Sequence, residues 1–167
     1  MKLSELITTQ PDASFEGFVT NDDFVLAVDI SGASDTTDAN YTVVQMGVAG
    51  LDAQLNPVTQ DKQYVRAGQS TIKTGNQRTF KVTGDRYIGD EFQDFVFGHD
   101  IKFGTGNKVK VPYLYFNILN GKGEKGEVSI IVNSDGGGNA GESAGIDIDL
   151  KKTGAAPTAY TYTVAGE

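Results

Sequence analysis

Lys108–Asn120, KVKVPYLYFNILN, decides the class of fold. β-Branched and aromatic side chains run through it with no helical period, the composition of a strand set into a sheet. Pro112 lacks the N–H that a central ladder uses, so an edge position or a bulge is expected. The segment after it, Gly121–Gly126 (GKGEKG), reads as a turn. Beyond lie two more strands, Glu127–Asn133 (EVSIIVN) and Gly145–Lys151 (GIDIDLK), separated by the glycine-rich loop Ser134–Glu142. In the second of these, Ile146, Ile148 and Leu150 alternate with Asp147 and Asp149. A period of two sends the apolar set to a core and both carboxylates to the opposite face. Tyr160–Val164 is expected to add a last strand.

Reading back from the same stretch, Asp90–Phe97 (DEFQDFVF) is the one convincing helix. Phe92, Phe95 and Val96 recur at i, i+3 and i+4, Asp90 and Glu91 suit its positive N-terminal end, and Gly98 supplies a stop. The aromatic pair is expected to bury against a sheet. Ser70–Thr74 and Gln77–Thr83 alternate with a period of two, and the Gly75-Asn76 between them reads as a hairpin turn. Val58–Gln69 is a polar excursion, a long loop or the tip of a hairpin. Tyr41–Leu55 reads as a long strand bent at Gly47 and Gly50. Phe24–Ile30 is the first good strand and ends at the polar loop Ser31–Asn40. Residues 1–22 show no period and read as an arm or edge segment, which Phe15, Phe18 and Val19 could anchor to the body formed by residues 23–167.

The sum is a mainly β protein: an antiparallel β-sandwich or partial barrel of about seven or more strands with one short helix. So many strands leave edges that need pairing or protection.

The formal charge of −8 is unevenly spread. Residues 1–40 hold eight acids against Lys2, and the rest of the chain holds 14 acids and 13 bases. Neither part offers the basic excess that binding to phosphates uses. The chain has no cysteine, which excludes disulfides, thiolate metal sites and a cysteine nucleophile. Met1–Gln10 lacks the apolar run of a signal peptide, and no stretch approaches a membrane span. The expectation is a soluble protein made in a cytoplasm.

No catalytic constellation emerges. Gly141-Glu142-Ser143-Ala144-Gly145 matches the G-x-S-x-G pattern, but it leads into a strand and the one histidine, His99, precedes it. His99 alone makes no metal site. The acids of Asp135–Glu142 miss the alternate positions of a calcium loop, and Gly104–Lys108 lacks the ending of a phosphate loop. No cofactor is expected.

Several whole segments, in consistent order, resemble the major tail tube proteins of long-tailed, siphovirus-like phages and prophages. They are Gln63–Gln69 (QYVRAGQ), Thr74–Arg78 (TGNQR), Phe80–Phe97 (FKVTGDRYIGDEFQDFVF), Tyr113–Glu127 (YLYFNILNGKGEKGE) and Val132–Asp149 (VNSDGGGNAGESAGIDID). The resemblance spans roughly residues 41–163 and is less clear over 1–40. It implies two packed antiparallel sheets flanked by a helix. It also implies six-membered rings that stack into a tube, with double-stranded DNA passing through unbound. Copies of itself would be the main partners, with tape-measure, tail-terminator and baseplate proteins beyond them. The location would be the virion tail, with no membrane and no catalytic residues. On that reading Asp147 and Asp149 are candidates for an acidic lumen wall, the alternatives being the tube's outer surface or pairing with a neighbour's lysine. Thr59, Asp61, Lys62, Tyr64 and Arg66 in the polar excursion, together with the arm Met1–Asp22, are candidates for ring-to-ring contact. A second reading is a β-sandwich binding module for carbohydrate or another surface, with Tyr113 and Tyr115 exposed two residues apart.

Overall fold

The structure, a computed structural model, describes residues 1–32 and 37–164. Nine strands occur among them: β1 (Phe24–Val28), β2 (Thr42–Val43), β3 (Val48–Gln54), β4 (Pro57–Tyr64), β5 (Gly68–Asn76), β6 (Thr79–Asp85), β7 (Lys110–Asn117), β8 (Lys122–Ser134) and β9 (Gly145–Thr161). Three short α-helices accompany them, α1 (Leu3–Leu6), α2 (Glu91–Val96) and α3 (His99–Lys102). Of the sandwich and the partial barrel, the molecule is the partial barrel. Seven strands form one antiparallel sheet in the order β2-β1-β7-β8-β9-β6-β3, and β4 and β5 form a separate two-stranded ribbon.

The curl of that sheet can be measured from side chains. Two strands, β8 and β9, lie between β6 and β7. In a flat sheet, side chains on those outer strands would stand about 14 Å apart. Yet the rings of Phe80 on β6 and Tyr115 on β7 have centroids 5.0 Å apart, and Phe80 and Tyr113 meet edge-on at 5.1 Å. The concave face closes over Phe80, Val82, Ile146, Ile148, Leu150, Val128, Ile130, Val111 and Leu26, with Phe92 and Val96 of α2 capping it. Arg78 lies buried among these rings, its guanidinium over Phe80 and Tyr115 and its Nε 2.7 Å from Glu124 Oε1. A charge so placed is tolerated because it is paired and its carboxylate also accepts the Tyr113 hydroxyl at 2.9 Å.

On the convex face, the half made by β1, β2 and β7 is covered. Leu3 and Ile7 pack there with Val25, Val43, Leu114, Phe116 and Tyr162. Leu3 is held by its N–H to Tyr41 O, and Lys2 bridges Thr42. The expected anchors Phe15, Phe18 and Val19 are instead exposed. The chain is pinned earlier, so those three ride on a segment that crosses the β7–β8 turn.

Four further expectations are corrected. Gly75-Asn76 is not a turn: β5 runs through it, and the ribbon turns at residues 65–67, where Arg66 takes a positive φ of 67°. Gly121–Gly126 lies mostly inside β8, the turn being Ile118–Gly121; Gly123 is required because a Cβ there would meet Tyr115 O at 2.0 Å. Pro112 is on an interior strand, not an edge. Its carbonyl accepts Asp29 N at 3.0 Å just past the end of β1, so its missing N–H costs the ladder only one terminal bond. Tyr160 belongs to the long β9 and not to a separate last strand; β9 carries an insertion at residues 154–157 opposite Gly126. α2 does end before Gly98, which then opens a second short helix, α3. Of the loop Ser31–Asn40, residues 33–36 lie outside the described residues.

Candidate assembly surfaces

The β4–β5 ribbon continues the β3–β6 pair outward. Gln54 faces Thr79 in the sheet and Pro57 faces Asn76 in the ribbon, with Asn56 and Gln77 hydrogen-bonded between them at 3.2 Å. Thr59, Asp61, Lys62 and Tyr64 fall on β4 and Arg66 in its turn, so all five candidates share one ribbon, and all are exposed. Thr71 donates to Asp61 across it at 2.7 Å. Val58, Val65, Ile72 and Lys73 are exposed there too. Having no core of its own, a two-stranded ribbon is at best marginally stable alone.

The uncovered half of the convex face, on β8, β9, β6 and β3, is polar. Asp147 and Asp149 project from it with Lys81 and Lys151. Lys81 Nζ lies 3.0 Å from Asp147 Oδ2, and Lys151 Nζ lies 3.6 Å from Asp149 Oδ2. Asn133 also donates to Asp147 at 3.2 Å. The Asn133 hydrogen bond, then Lys81, holds the Asp147 carboxyl below its ordinary value of 3.8. Asp147 therefore pairs with a lysine of its own chain.

At the end of the sheet opposite the ribbon, α2 and α3 follow β6. Asp90 caps α2 by accepting Gln93 N at 3.0 Å. Phe92 and Val96 are fully buried and Phe95 packs at the core's margin. Gln93, which the sequence reading passed over because it breaks the apolar pattern, is equally buried. Its amide donates to Met46 O at 2.7 Å and Asp85 O at 3.2 Å and accepts Tyr87 N at 2.9 Å. It ties the backbone at Met46 and at residues 85–87 to α2 at this end. Beside it, Asp94, Phe95, Gly98, His99, Asp100 and Ile101 line a shallow cleft.

Tyr113 is buried and Tyr115 half-buried in the concave core, so the pair offers no exposed binding platform. Ser143 sits on the exposed loop that leads into β9. Among the described residues no helix is long and apolar enough to cross a membrane, and no group of three or more acids and histidines could hold a metal ion.

No family model matches the sequence, and no curated protein matches it. Solved structures do resemble it. A chain in the tail of an empty gene transfer agent particle, resolved with C6 symmetry, superposes with a TM-score of 0.57 at 14% identity, covering 87% of this chain and all of that one. A chain of the native gene transfer agent virion gives 0.54 at 13% identity, with 87% and 100% covered. The likeness is one of fold.

Proposed function

We propose that this chain is a structural subunit of a phage-type tail tube. Six copies close into a ring, rings stack into a hollow conduit within a virion tail, and double-stranded DNA passes through without specific binding. Synthesis is in the host cytoplasm, and no catalytic role or cofactor is part of the reading.

The observation that carries it is an unfinished sheet. β3 pairs only with β6, so that border of a strongly curled sheet retains unpaired backbone groups among the described residues, while the opposite border ends on β2, a strand of two residues that only Met1 and Lys2 flank. Completing them with identical neighbours removes the edges, as closure does in any barrel. The fold shared with a chain of a six-fold symmetric particle tail, and with a chain of a native virion, supports the same reading.

Within this scheme the polar convex half, with Asp147 and Asp149, faces the lumen. Its lysines are held by carboxylates and so are poorly placed to grip a passing phosphate backbone. Residues 23–167 form the tube domain, residues 1–22 serve as an arm, and the ribbon residues Thr59, Asp61, Lys62, Tyr64 and Arg66 make the ring-to-ring contact. Tape-measure, terminator and baseplate proteins would meet the tube at its interior and ends. Negative-stain images of the purified chain at rising concentration test the proposal: rings or tubes about a central channel are expected, and a monomer at every concentration would overturn it.

A further inference from the structure

The two ends of the sheet differ in a way that selects how copies join. β3 ends and β6 begins at the ribbon end, whereas β6 ends and β9 begins at the helical end, so the ribbon and the α2–α3 segment lie at opposite poles. Residues 57–76 carry three bases, Lys62, Arg66 and Lys73, against one acid, Asp61. At the other pole, residues 85–108 carry five acids against three bases, and residues 134–144 add Asp135 and Glu142 with no base. Two of the bases there are already engaged, Arg86 with Asp94 at 2.7 Å and Lys102 with Asp135 at 2.7 Å.

Apolar surface follows the same division. The ribbon exposes Val58, Tyr64, Ile72 and, at its tip, Val65, which is 90% exposed. The helical pole exposes Tyr87, Ile88 (81%) and Phe103 (68%), the last in a tilted ring contact, 5.1 Å between centroids, with His99 of the α2–α3 cleft. An eight-residue strand reaches about 26 Å from the body. A ribbon of that length with no core, basic and apolar at its tip, calls for a receiving surface that is acidic and apolar.

We infer that the β4–β5 ribbon of one copy docks on the α2–α3 cleft of a second copy, Val65 against the exposed apolar residues and Arg66 towards Asp100. Because donor and receiver are different surfaces at opposite poles, the contact is head-to-tail and propagates without closing on itself. This rests on the tube reading and deepens it: it names the receiving surface and fixes the polarity of stacking. The contact weakens with salt, since the screening length falls from ~10 Å at 0.1 M to ~3 Å at 1 M.

The test uses the full chain and charge reversal at each pole. Arg66→Glu and Asp100→Lys, each with the parent's circular dichroism and melting temperature, are expected to raise the concentration needed for assembly about tenfold. Mixed in equal amounts, or joined in one R66E/D100K chain, they should return it towards the parent's value, because each reversed ribbon then meets a reversed cleft. Unchanged assembly by both single variants overturns the inference while leaving the tube reading intact, whereas a parent chain that never assembles defeats the tube reading itself. A second readout exploits the absence of cysteine. A V65C/H99C chain, oxidised after assembly, should run as a ladder of linked oligomers on a non-reducing gel, and monomer alone from intact tubes would overturn the docking.

Discussion

Lys81 and Asp147 stand on neighbouring strands with Nζ and Oδ2 3.0 Å apart, although the residue directly opposite Asp147 is Thr83 and the residue opposite Lys81 is Asp149. One lysine thus lies within the field of two carboxylates on the same face. The Asp147 hydrogen bond, then its charge, raises the Lys81 ammonium above its ordinary value of 10.5, so it stays charged yet occupied. The D147N/D149N chain would leave Lys81 and Lys151 without those carboxylates. Its retention of double-stranded DNA, measured by filter binding, should rise above the parent's and fall steeply towards about 0.2 M salt. DNA binding no stronger than the parent's would remove this face from the lumen.

Replacing residues 57–76 by two glycines should leave a folded subunit, because Asn56 and Gln77 already meet at 3.2 Å. Circular dichroism should show a melting temperature near the parent's, while electron microscopy should show no tubes. Tubes of normal length from this chain would exclude the ribbon from stacking.

Phe80→Ala should destabilise the fold by about 3–5 kcal/mol in chemical denaturation, since it empties the place where the concave face closes on itself. A paired comparison of glycines probes backbone approach. Gly123→Ala drives a methyl group against Tyr115 O and Phe116 and should cost about 1–3 kcal/mol or more. Gly75→Ala, on the open ribbon with nothing within 4 Å, should stay within about 0.5 kcal/mol of the parent.

Alkaline pH should unfold the chain through its tyrosines. Burial first, then the Asp29 and Asp38 charges, pushes Tyr41 up to about 12, and burial followed by the Asp38 hydrogen bond raises Tyr160 further still. Tyr113 is raised by burial and by Glu124. A raised folded value means that the native state keeps protons the unfolded state gives up. The stabilisation is complete below pH 10 and is lost as pH climbs through the folded values. Absorbance of phenolate at 295 nm should therefore rise together with loss of circular dichroism above about pH 10. Separate, non-cooperative titration of these three residues would contradict their burial.

The sequence was most readable where one face of a strand is dry. Ile146, Ile148 and Leu150 are buried and Asp147 and Asp149 are not, as their alternation required. Phe92 and Val96 bury for the same reason on a helical period. The ribbon was legible in part: Ser70–Thr74 lies in β5 and residues 65–67 are a hairpin tip, but water on both faces of β4 hides its strand, and the Gly75-Asn76 dipeptide misplaces the turn. Pro112 misled in the opposite sense: its cost depends on where β1 ends, which no local pattern encodes. Nor could Phe15 and Phe18 be told from Leu3 and Ile7 by hydrophobicity, since the choice was made by backbone bonds from Leu3 and Lys2 to the segment around Tyr41 and Thr42.

The place where the ribbon joins the barrel has a consequence for variation. Insertions or deletions made in matched pairs beyond the Asn56–Gln77 junction would shift the tip by about 3.3 Å per residue pair and disturb no core side chain. The spacing between successive layers of an assembly could then drift in small graduated steps while the barrel stayed constant, much as a spacer is trimmed without rebuilding the parts it separates.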